Sequence, residues 1–420
     1  MKVPRGPFAH KLHVMADEQN AAKVTDPAAM QRLVARSGDL KQALVAFAES
    51  SRFDRWRLPE LAKASDSGAA DGAPPSRGSE RWVAAMDDFI MTFRFPDGTG
   101  VVDRYLSASG KNLDKRDRKL LEGWRDPIDG IFELRAKNSD SLTLHNLLDE
   151  LDYEAYSGNP VAGIPVETRD FVLTRLVPMA PDAWTFSGSM TPIPRENAKI
   201  VAELAMEWSG TRPRLVFRNP EKARAGWEMM RKDQEEFVEF FGSDQVVIPA
   251  AEAESRISEY YRQRQEQVLA RQSPDKPRPE VTEGVDRPFF AIPESLKSLD
   301  TIGVIFDETD GLSLLPDFGM LEELFDRPAL AADKRYADAL LGYLDSESIY
   351  PGVLRRLALA HPDTADQVFQ TVLKKPSFTW AKHGELLLRK HKPWYFRQDR
   401  YPNVTPTSDY LRGLLSEPNA

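Results

Sequence analysis

From Asp26 to Ser50 the apolar residues Met30, Leu33, Val34, Leu40, Leu44 and Phe47 recur at near-helical spacing. Asp26 can cap this run and Pro27 takes the first helical position, so the pattern predicts an amphipathic helix. Residues 65–79 (SDSGAADGAPPSRGS) carry no large apolar side chain to offset the entropy of ordering, which predicts a linker and makes residues 1–64 a helical N-terminal appendage. Glu80 to Phe93 sets Trp82, Met86, Phe89 and Ile90 on one helical side, and Asp114 to Trp124 presents Leu120, Leu121 and Trp124 among charges. The period then changes. Ile131 to Arg135, Ser141 to Leu148, Asp152 to Tyr156, Asp170 to Pro178 and Ala183 to Met190 are short, rich in β-branched or aromatic residues and punctuated by turn residues, which predicts five strands in a small antiparallel sheet or barrel.

Helical spacing returns at Pro194 to Trp208 and, behind the cap Asn219-Pro220, runs to Gly242 through Ala223, Trp227, Met230, Phe237 and Phe241. Gln245 to Ile248 reads as one further strand and Glu252 to Ala270 as a charged helix. Residues 272–287 combine three prolines with many charges and read as a second linker. Beyond it, Thr301 to Phe306 and Leu312 to Leu315 flank Asp310-Gly311, a hairpin signal, and short helices follow at Met320 to Phe325, Arg335 to Leu344, Gly352 to Ala360, Thr364 to Leu373, Lys382 to Lys390 and Ser408 to Leu415. The predicted class is α+β and helix-rich: a central α+β module at 80–271 holding the small sheet or barrel, and a mainly helical C-terminal domain at 288–420 with one hairpin.

A chain of 420 residues suits two to four domains. It contains no cysteine, which excludes disulfides, thiolate nucleophiles, iron–sulfur clusters and cysteine-based zinc sites. No run approaches the roughly 18 apolar residues of a membrane span, and charges, Pro and His interrupt any signal-peptide core at the N-terminus, so a cytoplasmic protein with no membrane association is expected. The net charge of −9 repels nucleic acid and anionic membrane unless positive charge is concentrated locally.

That concentration exists. Between Thr371 and Tyr401 stand eight bases against two acids, whereas residues 291–370 hold 15 acids and six bases. Trp394, Tyr395, Phe396 and Tyr401 are interleaved with the bases, and aromatic rings beside Arg or Lys suit an acidic protein surface or single-stranded nucleic acid. Arg389, Lys390, Lys392, Trp394, Tyr395, Arg397 and Arg400 are therefore the candidate binding residues, the alternative being that the aromatics fill the core and the bases pair with the acidic half of the domain. A smaller patch of the same composition, Arg52, Phe53, Arg55, Trp56 and Arg57, follows the first helix.

Catalytic patterns are incomplete. Asp317-Phe318-Gly319 spells a kinase triplet without the Gly-rich loop, strand lysine or His-Arg-Asp that a kinase needs. Ser109-Gly110-Lys111 lacks the earlier Gly and following Ser or Thr of a phosphate loop. Asp307, Glu308, Asp310 and Asp317 miss the calcium-loop spacing. His383 and His391 are eight apart, about 80° around a helix, and His10, His13, His145 and His361 are scattered. Ser187-Gly188-Ser189 is not a nucleophile elbow, and Asp149, Glu150, Asp152 and Glu154 offer carboxylates without a cleft. No cofactor and no metal site is expected.

The stretches FIMTFRFPDGTGVVDRYL, LLEGW and FVLTRLVPMAPDAWTFSGSMTPIP, together with GVIFDETDGLSLLPDFG through KPWYF, resemble a group of uncharacterised bacterial proteins, some of which carry a cysteine-bearing metal-binding tail known as SEC-C. The resemblance spans about residues 85–400 in outline and implies a bacterial, soluble protein; the cysteines of that tail are absent here. These readings favour a non-catalytic interaction or adaptor protein, with a hydrolase or transferase built from distant carboxylates and His as the alternative.

Overall fold

Helix α1 (Pro27–Ala48) buries Met30, Leu40, Leu44 and Ala48 along its apolar stripe. A 3-10 turn at Ser51–Phe53 passes into α2 (Asp54–Asp66). In α3 (Glu80–Met91) the Ser79 hydroxyl accepts from the Trp82 N–H at 3.2 Å, satisfying one of the free donors of the first turn. Helix α4 (Val101–Ser109) follows, then α5 (Lys115–Gly123), whose Asp114 cap accepts from the Asp117 N–H at 2.7 Å. The computed structural model describes residues 27–66, 75–109, 113–271 and 290–417. The linker expected at 65–79 falls partly outside them, and that at 272–287 wholly.

Strands β1 (Ile128–Lys137), β2 (Ser141–Asn146), β3 (Asp152–Tyr156), β4 (Phe171–Ala180) and β5 (Ala183–Ile193) close a barrel in the order β1-β2-β3-β5-β4. Every seam is antiparallel except β3 with β5, which pair in parallel at Ala155↔Trp184 and Tyr156↔Thr185. Alternation fills the interior with Ile128, Phe132, Leu134, Leu144, Val172 and Leu176. Next come α6 (Ala198–Thr211) and α7 (Pro213–Val216).

After α8 (Pro220–Phe241), strand β6 (Gln245–Pro249) leads into α9 (Ala250–Arg271), and past α10 (Glu294–Lys297) the hairpin β7 (Thr301–Asp307) and β8 (Gly311–Pro316) completes a three-stranded antiparallel sheet in the order β6-β7-β8. Gly303 lets β7 lie close to the next helix, since a Cβ there would stand 2.5 Å from the Phe318 side chain. Six helices follow: α11 (Phe318–Asp326), α12 (Lys334–Asp345), α13 (Pro351–Ala360), α14 (Ala365–Leu373), α15 (Trp380–His391) and α16 (Pro393–Arg397). They pack around Phe318, Leu324, Phe325, Leu344, Leu354 and Phe369. The last described helix is α17 (Asp409–Ser416).

The α+β class is thus as the patterning predicts, but the domain boundaries move. One compact unit runs to Pro220 and resumes at Thr407; the other spans Glu221–Pro406. Residues 27–64 are no appendage, because Leu40, Leu44, Phe53 and Leu61 share one core with Phe89, Val101 and Trp124. The stretch 80–271 is not one module either. Its final strand β6 pairs with β7, on the far side of the expected second linker, from Gln245↔Ile305 to Pro249↔Thr301. Helix α17 belongs with the barrel unit, where the Tyr410 hydroxyl donates to the buried Glu133 at 2.5 Å and Arg195 pairs with both Glu133 and Glu417.

The helices of this first unit are fastened to the barrel by polar contacts as well as apolar ones. Trp124 Nε1 donates to the Pro178 carbonyl at 3.1 Å. Asp87 of α3, only 3% exposed, is paired with Arg175 of β4 and Lys41 of α1 and accepts from the Ser187 hydroxyl of β5 at 2.7 Å. Burial opposes its ionisation, yet the two cations outweigh that and hold its pKa below the ordinary carboxylate value. Gly188 (φ +77°) leaves room for the group, because a Cβ there would stand 2.8 Å from the Asp87 carboxylate. Removing Asp87 would leave Lys41 buried without its carboxylate and take from Arg175 its one fully buried partner, so Asp87→Ala is expected to cost about 3–5 kcal/mol in urea unfolding. Asp88→Ala, which removes an exposed partner of the same arginine, should cost less than about 1 kcal/mol. Equal losses would contradict this ranking.

Candidate functional site

Helix α15 turns Gly384, Leu387 and Leu388 inward, and its first turn is closed by His383, whose Nδ1 accepts from the Thr379 N–H at 3.0 Å. Lys382, Leu386, Arg389 and Lys390 therefore face solvent, Leu386 being 66% exposed. Lys374 and Lys375, in the turn before α15, and Arg397, at the end of α16, are exposed as well. Lys374, Lys375, Lys382, Lys390 and Arg397 have no carboxylate partner among the described residues. Arg389 lies 4.5 Å from the Phe396 ring centroid.

The other candidates from the same segment turn inward. Lys392 is fully buried, its Nζ donating to the Ser346 carbonyl at 2.7 Å. Burial pushes its pKa down to about 8 against the opposing pull of Asp345. Arg400 pairs with Asp310 and sits 3.8 Å from the Tyr395 ring centroid. The Tyr395 hydroxyl donates to Asp310 Oδ2 at 3.0 Å, and burial first, then Asp307, pushes its pKa up to about 12. Trp394 packs on Tyr350 at 6.0 Å between ring centroids, and Phe396 packs against the helical core. The seven candidates therefore do not form one surface. Arg389, Lys390 and Arg397 remain on it, while Lys392, Tyr395 and Arg400 are tied to groups of the acidic half and Trp394 is half-buried.

The second patch is assembled more fully. The end of α1, the 3-10 turn, α2 and α4 enclose a cleft of about 160 Å³ lined by Phe47, Arg52, Phe53, Trp56 and Arg104. The Arg52 guanidinium lies 4.0 Å from the Phe47 ring centroid and 4.8 Å from that of Phe53. Arg104 lies 3.7 Å from the Phe95 centroid, with Nη2 on Asp97 at 2.9 Å and Nε on the Thr99 hydroxyl at 3.2 Å. Arg55 covers Trp56 at 3.7 Å, and Arg57 pairs with Asp54 at 2.6 Å. Neither Arg52 nor Arg55 has a carboxylate partner among the described residues. Phe47 and Arg104 escaped the sequence reading: the first looks like any core position of α1, and the second is brought in from a different helix by packing alone.

The remaining chemical candidates are held by structural contacts. Asp317 takes a left-handed conformation (φ 48°) at the start of α11 and accepts from the Asp300 N–H at 3.1 Å. Asp307 accepts from the Thr309 and Asp310 N–H groups at the hairpin tip and pairs with Arg356 at 3.1 Å. Asp149 accepts from the Tyr153 hydroxyl at 2.6 Å, and Glu154 from Thr143 at 2.9 Å. His145, His361 and His391 each stand beside one aspartate, at 2.7, 3.3 and 2.7 Å. His10, His13, Gly110 and Lys111 lie outside the described residues. Among the described residues no three His, Asp or Glu side chains converge as metal ligands, and no helix is long and apolar enough to cross a membrane. Comparison with protein-family models, with curated proteins and with solved structures finds no match.

Folding lowers the Lys392 pKa from 10.5 to about 8, so between those values the unfolded chain keeps a proton that the folded chain has released. Stability should consequently rise from about pH 8 to about 9.5, below the range in which tyrosines titrate. Lys392→Met should flatten that rise, while costing at pH 7 no more than the ~1 kcal/mol of the hydrogen bond to Ser346. Chemical unfolding at several pH values checks this, and an unchanged profile would place the pH response elsewhere.

Proposed function

We propose that the protein is a non-catalytic interaction protein that engages an acidic protein partner through the exposed face of α15 and the turns on either side of it. The observation that carries this reading is the group of five bases, Lys374, Lys375, Lys382, Lys390 and Arg397, without carboxylate partners among the described residues, beside the exposed apolar Leu386. A charged surface around an apolar contact suits a complementary acidic protein surface. Single-stranded nucleic acid is less favoured here because the aromatics that would stack on bases pack inward at Tyr350, Asp310 and the helical core. The alternative, a hydrolase or transferase, needs a cleft containing carboxylates or histidine; the Arg-aromatic cleft is lined by neither, and the cleft lined by Glu236 and Glu239 is about 20 Å³, room for little more than a water. A cytoplasmic location, bacterial origin and membership of the uncharacterised group belong to the same proposal and rest on the sequence alone.

Charge reversal tests it. The variant Lys382→Glu/Arg389→Glu/Lys390→Glu should melt like the parent, since these side chains are exposed, but lose at least about tenfold of its capture of acidic proteins in about 0.05 M salt. Parent capture should survive nuclease treatment and fail at about 0.5 M salt. Nuclease-sensitive capture would replace the acidic protein by nucleic acid, and capture unaffected by the reversal would remove α15 from the interaction.

A further inference from the structure

The Arg-aromatic cleft of the first unit is separate in sequence from the basic face of α15 and carries its own chemistry. Its two cations arrive from different elements, Arg52 from the 3-10 turn after α1 and Arg104 from α4. Arg104 is already held by Asp97 and Thr99 through Nη2 and Nε, so its position is fixed while Nη1 is uncommitted among the described residues. Arg52 is exposed and, among the described residues, held by ring faces alone. A guanidinium resting on aromatic rings keeps its N–H edge available for an anion, because the ring occupies its face and not its donors. The Arg52 fork together with Nη1 of Arg104 suits a phosphate, which offers three acceptor oxygens and up to two charges; a single carboxylate is saturated by one fork. Between them lie Phe47 and Trp56, both half-buried, so the wall beside the cations is aromatic. A volume of about 160 Å³, open to solvent on one side, takes a phosphate and leaves an attached ring to lie along the rim, and it excludes a folded element of a partner protein.

We infer that this cleft binds a nucleoside phosphate, its phosphate between Arg52 and Arg104 and its base against the aromatic wall. Phosphate and base each supply part of the affinity: the guanidinium edges contribute charge-assisted hydrogen bonds, and the outer faces of Arg52 and Arg55, backed by Phe47 and Trp56, offer planar stacking that tolerates any base. The site needs no cofactor and performs no bond chemistry. It does not depend on the reading of α15.

Calorimetric titration of the full chain at low salt with AMP, UMP, adenosine and inorganic phosphate tests the inference. AMP and UMP should bind once per chain and with similar affinity, and adenosine and inorganic phosphate should each bind at least about tenfold more weakly. Arg52→Gln should weaken AMP at least about tenfold without changing the melting temperature, because the side chain is exposed and unpaired. Trp56→Phe, which keeps an aromatic ring in the wall, should retain AMP binding, and Trp56→Leu should weaken it even where the melting temperature is unchanged. Absence of AMP binding by the parent would overturn the inference. So would AMP affinity indifferent to Arg52→Gln, and inorganic phosphate binding as tightly as AMP would reduce the cleft to a simple anion site.

Discussion

Asp87 is a carboxylate that the fold has taken out of water, and the first unit is arranged around keeping it ionised. An isolated buried carboxylate would take up a proton; Asp87 keeps its charge because a lysine from α1 and an arginine from β4 meet it and a serine from β5 donates to it. Helices α1 and α3 and the β4–β5 hairpin are thereby held together, and Gly188 is the residue that lets β5 come close enough. The cleft inherits this order. Phe47 stands at the end of α1 and Arg52 and Phe53 in the turn after it; the Phe47 ring packs on Phe53, and Phe53 packs on Phe89 and Phe95. Its geometry therefore depends on α1 being fixed at Lys41, two turns earlier.

Much of the fold can be read from the chain. The switch from helical period to short β-branched runs marks the barrel, Asp310-Gly311 marks the hairpin, and Asn219-Pro220 marks the start of α8. What cannot be read is partnership. Composition alone makes 65–79 and 272–287 look like boundaries, yet the core around Trp124 gathers residues from both sides of the first, and the ladder between β6 and β7 spans the second. The parallel seam of the barrel is equally silent, since alternation in β3 and β5 is the same whichever direction they pair. Helix α2 was hidden by its weak amphipathicity and its internal Pro59.

The binding residues show the same division between composition and placement. Eight bases with interleaved aromatics give one signal in sequence, but the structure sorts them by the direction in which each helix turns its faces. Lys392 stands just after α15 and is driven inward, where the Ser346 carbonyl receives it; two residues earlier Lys390 is in water. The second patch was legible in part because Arg52, Phe53, Arg55 and Trp56 are contiguous. Its far wall, Arg104, belongs to a helix with no local mark of that role.

The barrel unit is interrupted between Pro220 and Thr407, and its last helix, α17, is supplied by the returning chain. The ribosome therefore delivers all of the Glu221–Pro406 unit before the barrel unit has its final piece. Until Tyr410 arrives, the carboxylate of Glu133, on an otherwise finished strand, lacks the hydroxyl that meets it in the complete fold, and Arg195 lacks Glu417. The inserted unit has every one of its own elements in hand by then. Order of synthesis thus makes the inserted unit the first that can be completed, and makes the barrel unit wait for the chain beyond Pro406 even though most of it was made first.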